Sequence, residues 1–176
     1  SLDDFDSIKH RYVTIKDQKT ACILRIQDEV ISSIRESLKK EGFTEILAPI
    51  IGPVTDPGIR GAKQVSINYY GSEFKLMSSM ILYKQMAINA IPKIFALSPN
   101  IRIEPLETIK TKRHLTEFRQ IDIEQAYATY EDMMKLGERL LCKAIETVNK
   151  RCHKKLKDLG RKLKTPSPHF KRYTYD

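Results

Sequence analysis

The fold is decided by KIFALSPNIRIE (residues 93–104) and RHLTEFRQIDIEQAYA (residues 113–128). In both stretches apolar and polar side chains alternate, which predicts β-strands with one apolar and one polar face. PLETIKTK (residues 105–112) predicts a long loop between them. The polar face, which includes Arg102 and Glu104, is either the solvent side of an antiparallel sheet or the floor of a site.

Two helices are predicted on either side of this region. The first begins after Asp17, which is placed to cap it, and runs to about Glu41, where Gly42 follows as a stop. The second spans about residues 130–152. Apolar residues recur every three or four positions in both, and predict one buried stripe each: Ala21, Leu24, Val30, Ile31, Ile34 and Leu38 in the first, and Met133, Leu136, Leu140, Leu141, Ala144, Ile145, Val148 and Cys152 in the second.

Shorter elements fill the sequence between the first helix and the strands. VSINYY and EFKLM (residues 65–70 and 73–77) predict a hairpin with its turn at Gly71 and Ser72. A helix over residues 79–90 is expected to follow.

The composition excludes several classes of protein. With 176 residues, 41% of them apolar and 30% charged, the chain suits one globular domain or part of one. No apolar run is long enough to span a membrane, and the N-terminus is too polar for a signal peptide, so a cytoplasmic protein with no membrane partner is expected. The three cysteines form no CxxC pair and are expected to be free thiols.

Positive charge is concentrated at the C-terminal end. Of the net charge of +9, residues 150–176 contribute +8, from ten basic and two acidic residues. Residues 150–176 are therefore interpreted as a basic helix end and linker, and residues 1–149 as a nearly neutral body. An RNA-binding surface is the alternative interpretation.

The residues indicate a nucleotide site of an unusual kind. Neither a GxxxxGK[ST] loop nor a GxGxxG loop is present, and the four scattered histidines predict no metal site in this chain. Instead, His114 and three cations, Lys110, Lys112 and Arg113, lie in a loop between the two strands, and Arg102 lies on the polar strand face; guanidinium groups so placed can bind phosphate oxygens. Glu104 can accept a hydrogen bond from a base amine. Phe118 is either a stacking surface for a base or a core residue.

Three ordered segments resemble the catalytic core of the class II aminoacyl-tRNA synthetases of the aspartyl/asparaginyl branch. They are GFTEILAP (residues 42–49), LMSSMILYKQ (residues 76–85) and the two strand segments quoted above. The strongest resemblance is to the archaeal asparaginyl-tRNA synthetase-related proteins, which are linked to asparagine synthetase A chemistry. The resemblance implies an α+β fold, with a mixed, mainly antiparallel sheet flanked by helices.

The resemblance also assigns the three family motifs. Motif 1, which forms a homodimer interface in the family, corresponds to residues 18–49, and motif 2 corresponds to residues 101–118. Motif 3, a glycine-rich segment with a second ATP-binding arginine, is not found in the sequence. The chain is therefore expected to be the motif 1 and motif 2 part of a catalytic domain and to be inactive alone. Residues 1–16 are too few for the family's anticodon-binding barrel.

Roles for the nucleotide site follow from the same resemblance. Arg102 matches the arginine that binds the α-phosphate of ATP and acts in catalysis, and Glu104 matches the acid near the adenine amine. Arg113 and His114 match loop residues that approach the phosphates. Phe118 matches the aromatic residue that stacks on adenine.

The resemblance assigns an amino-acid site as well. Lys84 matches the lysine that pairs with the side-chain carboxylate of aspartate, and an unpaired ammonium on a largely apolar helix face would favour aspartate over asparagine. Ser79 and Asp122 fall where the family holds the amino acid, although Asp122 is equally well interpreted as a solvated carboxylate. Ser78, Ser79, Met80 and Ile81 replace the family's QSPQ, so two glutamines that clamp the amino acid are missing.

The implied function is ATP-dependent activation of aspartate, with Mg²⁺ as the accompanying ion, by a homodimer. The aspartyl-adenylate would react with ammonia or, as the less favoured acceptor, with tRNA. Two alternatives stay open: a non-catalytic paralogue that binds a nucleotide or amino acid, and an RNA-binding accessory protein that uses the basic C-terminal residues.

Overall fold

The computed structural model describes residues 9–56, 63–111, 113–167 and 169–174. In chain order its elements are α1 (Arg11–Thr14), α2 (Gln18–Lys40), β1 (Thr44–Glu45), β2 (Ile51–Gly52), β3 (Ser66–Tyr69), β4 (Ser72–Leu76), α3 (Ile81–Ala87), β5 (Lys93–Ile101), a 3₁₀ turn (Leu106–Thr111), β6 (Glu117–Gln125), α4 (Tyr130–Arg151) and α5 (His153–Asp158). They form two compact units, a helical one from residues 1–40 and 128–176 and a sheet unit from residues 41–127.

The helical unit is held together by α2, which packs against α4 and α5. The carboxylate of Asp17 accepts hydrogen bonds from the backbone N–H groups of Lys19 and Thr20 at 3.0 and 3.3 Å, and so caps α2 as predicted. A core cluster joins Val148, Cys152 and Leu156 to the α2 residues Ile26 and Val30. Leu24, which was predicted to lie on the buried stripe, is 41% exposed, because the buried line of α2 runs instead through Cys22, Ser33 and Leu38.

The α4 helix begins with a reciprocal cap. The hydroxyl of Thr129 accepts a hydrogen bond from the Asp132 backbone N–H at 3.2 Å, and the Asp132 carboxylate accepts one from the Thr129 N–H at 3.0 Å. Leu136, Leu140 and Val148 are buried as predicted, whereas Leu141 is exposed. The helix ends at Arg151, one residue before the predicted end at Cys152, and α5 follows it.

Within its described residues, the sheet unit contains two three-stranded sheets. In one the order is β1-β5-β6, with β1 parallel and β6 antiparallel to β5; in the other it is β2-β4-β3 and every pair is antiparallel. This confirms the mixed, mainly antiparallel α+β class. The hairpin turn lies at Tyr70 and Gly71, one residue earlier than predicted. Both have positive φ, at 50° and 83°, which is the conformation of a two-residue turn with the twist of a hairpin.

The polar face of β5 and β6 is buried at its centre. Register pairs Ala96 with Asp122, Ser98 with Gln120 and Asn100 with Phe118, which places these six side chains on one face. Ser98, Asn100 and Asp122 are buried. On the other face of β6, Ile121 is exposed. Asp122 is therefore not a plain solvent-facing carboxylate.

The three cysteines, all in the helical unit, are free and buried. Within the described residues, no helix combines the length and apolar character needed to cross a membrane.

Candidate nucleotide and amino-acid site

Five residues predicted to bind a nucleotide line one cavity of about 340 Å³ in the sheet unit. They are Arg102, Glu104, Arg113, His114 and Phe118, and the sixth lining residue is Leu115. The volume lies within the range of small-molecule sites. The structure therefore brings together all five residues that the sequence placed at the nucleotide, and adds an exposed leucine that had no distinguishing pattern.

Two contacts position the Arg102 side chain, one at Nε and one along the face of the guanidinium group. Its Nε donates a hydrogen bond to the Ser78 carbonyl oxygen at 3.0 Å, and its guanidinium carbon lies 5.2 Å from the centre of the Phe118 ring. The Arg102 backbone N–H donates to the carbonyl of Thr116 at 2.8 Å. Among the described residues, no partner is found for its two terminal nitrogens, so the guanidinium keeps donors for an anionic ligand.

The loop between β5 and β6 is more regular than the sequence indicated. Residues Leu106–Thr111 form a 3₁₀ turn, in which the Thr108 hydroxyl donates to the Pro105 carbonyl at 2.7 Å. The Thr111 hydroxyl lies 3.0 Å from Nδ1 of His114. This contact holds the imidazole at the rim of the cavity. Lys112, one of the three cations noted in this loop, lies outside the described residues.

Lys84 is paired with two carboxylates. Its Nζ lies 3.4 Å from Asp122 Oδ1 and 3.2 Å from Glu124 Oε2, and the lysine side chain is only 18% exposed. The argument that an unpaired ammonium selects aspartate is therefore wrong in its premise. The three groups together carry a net charge of −1 when all are ionised. Sequence reasoning did not assign Glu124, although its position two residues after Asp122 on the same strand face was available as a signal.

A buried hydrogen-bond network continues from Asp122 along β5. The Ser98 hydroxyl donates a short hydrogen bond to the Asp122 carboxylate. The amide of Asn100 donates to Ser98 and, at 3.2 Å, to Gln120 Oε1. These three residues were not predicted, because a Ser, an Asn and a Gln on a strand are ordinarily solvated polar residues. The network fixes the carboxylate that faces Lys84.

Ser78 and Ser79 connect the cavity around Arg102 with the helix that carries Lys84. The Ser79 hydroxyl accepts a hydrogen bond from the Ile81 backbone N–H at 3.2 Å, and so lies at the start of the helix that carries Lys84. Ser78 accepts from Arg102 and is itself fixed by Thr55, whose Oγ1 lies 3.2 Å from Ser78 Oγ. The segment that replaces the family's glutamines therefore positions both Arg102 and α3.

Among the described residues, no group of three or more His, Cys, Asp or Glu side chains is arranged to hold a metal ion. Among the described residues, Glu104 is the single carboxylate that lines the cavity around Arg102. Mg²⁺ in proteins usually takes oxygen ligands from one or two carboxylates and from substrate phosphates, so Glu104 could contribute one ligand to an ion that accompanies a bound phosphate.

Comparison with known proteins gives a consistent result. The family model described as tRNA synthetases class II (D, K and N) matches residues 5–176. An aspartate-tRNA(Asp/Asn) ligase from Methanothermobacter thermautotrophicus is 33% identical over 167 residues, which are 94% of this chain and 37% of that protein. An asparagine-tRNA ligase from Koribacter versatilis is 33% identical over 172 residues, or 96% of this chain and 38% of that protein.

Solved structures agree with these sequence relatives. An asparaginyl-tRNA synthetase from Pyrococcus horikoshii, in complex with asparaginyl-adenylate, superposes with a TM-score of 0.82 at 27% identity, over 89% of this chain and 35% of that one. An Entamoeba histolytica asparaginyl-tRNA synthetase with the same adenylate gives 0.84 at 26% identity, over 99% and 38%. The chain thus spans less than two fifths of the length of these relatives.

Proposed function

Because the chain belongs to the class II tRNA synthetases of the D, K and N family, we propose that the full-length protein uses ATP to activate aspartate. The observation that carries the proposal is the arrangement of Arg102, whose two terminal guanidinium nitrogens have no partner among the described residues, in a cavity beside an aromatic ring and a carboxylate. The asparaginyl-adenylate complexes of two structural relatives support the choice of ATP, and the similarity to an aspartate-tRNA(Asp/Asn) ligase supports aspartate as the amino acid.

The nucleotide half of the proposal uses the cavity residues. Arg102 binds the α-phosphate, and Arg113 and His114 contact the phosphates from the loop. Glu104 accepts a hydrogen bond from the adenine amine, and Phe118 offers its ring to the base. Each of these groups lines the same cavity, which supports a single nucleotide as the occupant.

The amino-acid half uses an exchange of ionic partners. Asp122 and Glu124 attract the α-ammonium group of aspartate, because they and Lys84 together carry a net negative charge. Once an ammonium group binds these carboxylates, Lys84 is free to pair with the side-chain carboxylate of the substrate. Ser79, at the start of α3, contributes its hydroxyl to the same pocket.

The chemistry is attack by a substrate carboxylate oxygen on the α-phosphorus of ATP, which forms the acyl-adenylate and releases pyrophosphate. Negative charge on the α-phosphate oxygens is stabilised by the preorganised guanidinium of Arg102. Activation of the α-carboxylate leads to aminoacyl transfer to tRNA, and activation of the side-chain carboxylate leads to amide formation with ammonia. Mg²⁺ belongs to the proposal as a counter-ion of ATP, and no step is assigned to it.

Aspartate-dependent exchange of pyrophosphate into ATP by the full-length protein tests the proposal. Arg102→Ala is expected to lower the exchange rate at least about 100-fold, the scale for removing one preorganised donor. Arg119→Ala is the matched control, since Arg119 is exposed and pairs with Glu117 at 3.0 Å, on the other face of β6. Near-normal exchange in Arg102→Ala contradicts the site. Nucleotide binding without any exchange in the unsubstituted protein favours the non-catalytic paralogue.

Substrate choice has its own test. Calorimetry with an ATP analogue is expected to show aspartate binding about 10- to 100-fold more tightly than asparagine, the range for one charge-assisted hydrogen bond. Lys84→Met is expected to remove that difference. Tighter binding of asparagine by the unsubstituted protein contradicts aspartate as the substrate.

The proposal also includes a cytoplasmic homodimer formed through residues 18–49. Leu47 is 94% exposed, and Ile50 and Val54 nearby are more than half exposed, which supports an apolar contact surface in the sheet unit. Sedimentation equilibrium measures the assembly. A stable monomer at micromolar concentration contradicts the dimer.

A further inference from the structure

The basic residues after Lys150 lie on an ordered part of the helical unit. The α5 helix carries Lys154, Lys155 and Lys157 and is anchored by Leu156, which is buried against Ile26 and Val30 of α2. Because the anchor is apolar and buried, the lysines of this helix are held on a fixed backbone.

The chain that follows α5 runs back along α4. The Asn149 side-chain amide donates to the Leu163 carbonyl at 3.2 Å and to the Thr165 hydroxyl at 3.1 Å. Further along, Arg172 pairs with Glu138 at 3.2 Å. These contacts hold the segment that contains Arg161 and Lys162 against the helix.

A cationic groove results between α4, α5 and this returning segment. It is a cavity of about 420 Å³, and its lining includes His153, Lys157, Arg161 and Lys162 together with the apolar residues Leu156 and Leu163. Within the part of the chain that the structure describes, Lys157, Arg161 and Lys162 make no ion pair, whereas Arg151 and Arg172 outside the groove are each paired with a glutamate. The groove therefore presents three uncompensated cations to one concave surface.

We propose that this groove binds the phosphate backbone of RNA. Closely placed, unpaired cations lower their repulsion by binding several phosphates at once and releasing the counter-ions of the nucleic acid. An anionic membrane fits less well, because a membrane-surface helix needs an exposed apolar face, and Leu156, the one apolar residue of α5, is buried. The choice of RNA over DNA rests on the proposed function. The existence of the groove and its positive charge are observed independently of that function.

The test measures the binding of a fluorescent RNA duplex to the full-length protein by fluorescence anisotropy, over a series of salt concentrations and without ATP. The triple variant Lys157→Ala, Arg161→Ala, Lys162→Ala is expected to reduce the slope of log K against log salt by about 2 to 3, or about one per lost phosphate contact. A control triple, Lys40→Ala, Lys135→Ala, Lys143→Ala, removes the same charge from exposed helix positions outside the groove and is expected to keep the slope.

A second variant guards against a folding defect. Lys157→Arg, Arg161→Lys, Lys162→Arg keeps every charge and is expected to bind RNA as the unsubstituted chain does. Equal loss of slope in the groove and control triples would show that net charge alone drives binding and would overturn the proposal. Tighter binding to a DNA duplex of the same length, or to vesicles containing phosphatidylserine, would overturn RNA as the partner. Because ATP is absent, these outcomes are independent of the pyrophosphate exchange test.

Discussion

Replacing Lys84 with methionine is expected to destabilise the sheet unit through the charge that it leaves behind. The ammonium lies 3.4 Å from Asp122 and 3.2 Å from Glu124, and joins α3 to β6. Methionine fills much of the same space but cannot neutralise either carboxylate. Asp122, which is 8% exposed, would then remain buried without its cation.

The magnitude depends on burial more than on distance. Removing one member of a fully buried ion pair destabilises a protein by about 3 to 5 kcal/mol. Glu124 is 36% exposed and can be hydrated, so we expect about 2 to 4 kcal/mol for Lys84→Met. Asp122→Asn is expected to destabilise by about 1 to 2 kcal/mol, since Lys84 keeps Glu124 as a partner. The double variant is expected to lose about 1 to 2 kcal/mol less than the sum of the two changes.

Urea unfolding followed by circular dichroism measures these free energies from the midpoint and the slope. Lys75→Met is the matched control, because Lys75 lies closer to its partner, 2.6 Å from Glu73, but that glutamate is 68% exposed. We expect this control to change the free energy of unfolding by less than about 1 kcal/mol. If Lys75→Met destabilises the protein as much as Lys84→Met, or if the Lys84 and Asp122 changes are additive, the loss of the cation beside buried Asp122 is not the source of the effect.

Three further predictions concern local stability. Thr129→Ala removes the cap of α4 and is expected to lower the free energy of unfolding by about 1 kcal/mol in thermal or urea unfolding, with Thr129→Ser as the control that keeps the hydroxyl. Hydrogen bonds from the Thr129 backbone N–H and then from its hydroxyl lower the pKa of Asp132 below its ordinary value of 3.8. The stability that this provides is present above that value and is lost as the pH falls through the lowered pKa. Asp132→Asn should therefore flatten the acid limb of a plot of stability against pH, and an unchanged limb would contradict the assignment. Gly71→Ala is expected to destabilise the β3-β4 hairpin by about 1 kcal/mol, because Gly71 has a φ of +83° that a residue with a Cβ adopts only with strain. Crowding is not the cause, since an added Cβ meets no atom within 4 Å. An unchanged urea midpoint would refute this prediction.

Local pattern predicted the two long helices and the hairpin, and the resemblance to a known family selected the residues that we propose for the nucleotide. The cap at Asp17, the stop at Gly42 and the apolar spacing of the first helix predicted its bounds to within a residue, because helix ends depend on side chains adjacent in sequence. Alternation predicted both long strands. Since Arg102, Glu104 and Phe118 lie at the ends of two strands that are consecutive in sequence and paired with each other, their meeting in one cavity followed from the topology.

Tertiary structure decided which polar residues are buried and which charges meet. Alternation cannot tell whether the polar face of a strand is covered, so Ser98 and Asn100 were unremarkable in the sequence. The pairing of Lys84 with Asp122 joins residues 38 positions apart, and it turned a lysine expected to be an unpaired cation into one member of a net negative triad. Tertiary structure also decided where the basic C-terminal residues lie. Their charge was evident from the composition, whereas their placement in one groove depends on the return of the chain along α4. Burial and ion pairing are set by the surfaces that elements present to each other, and these surfaces exist only once distant segments have packed.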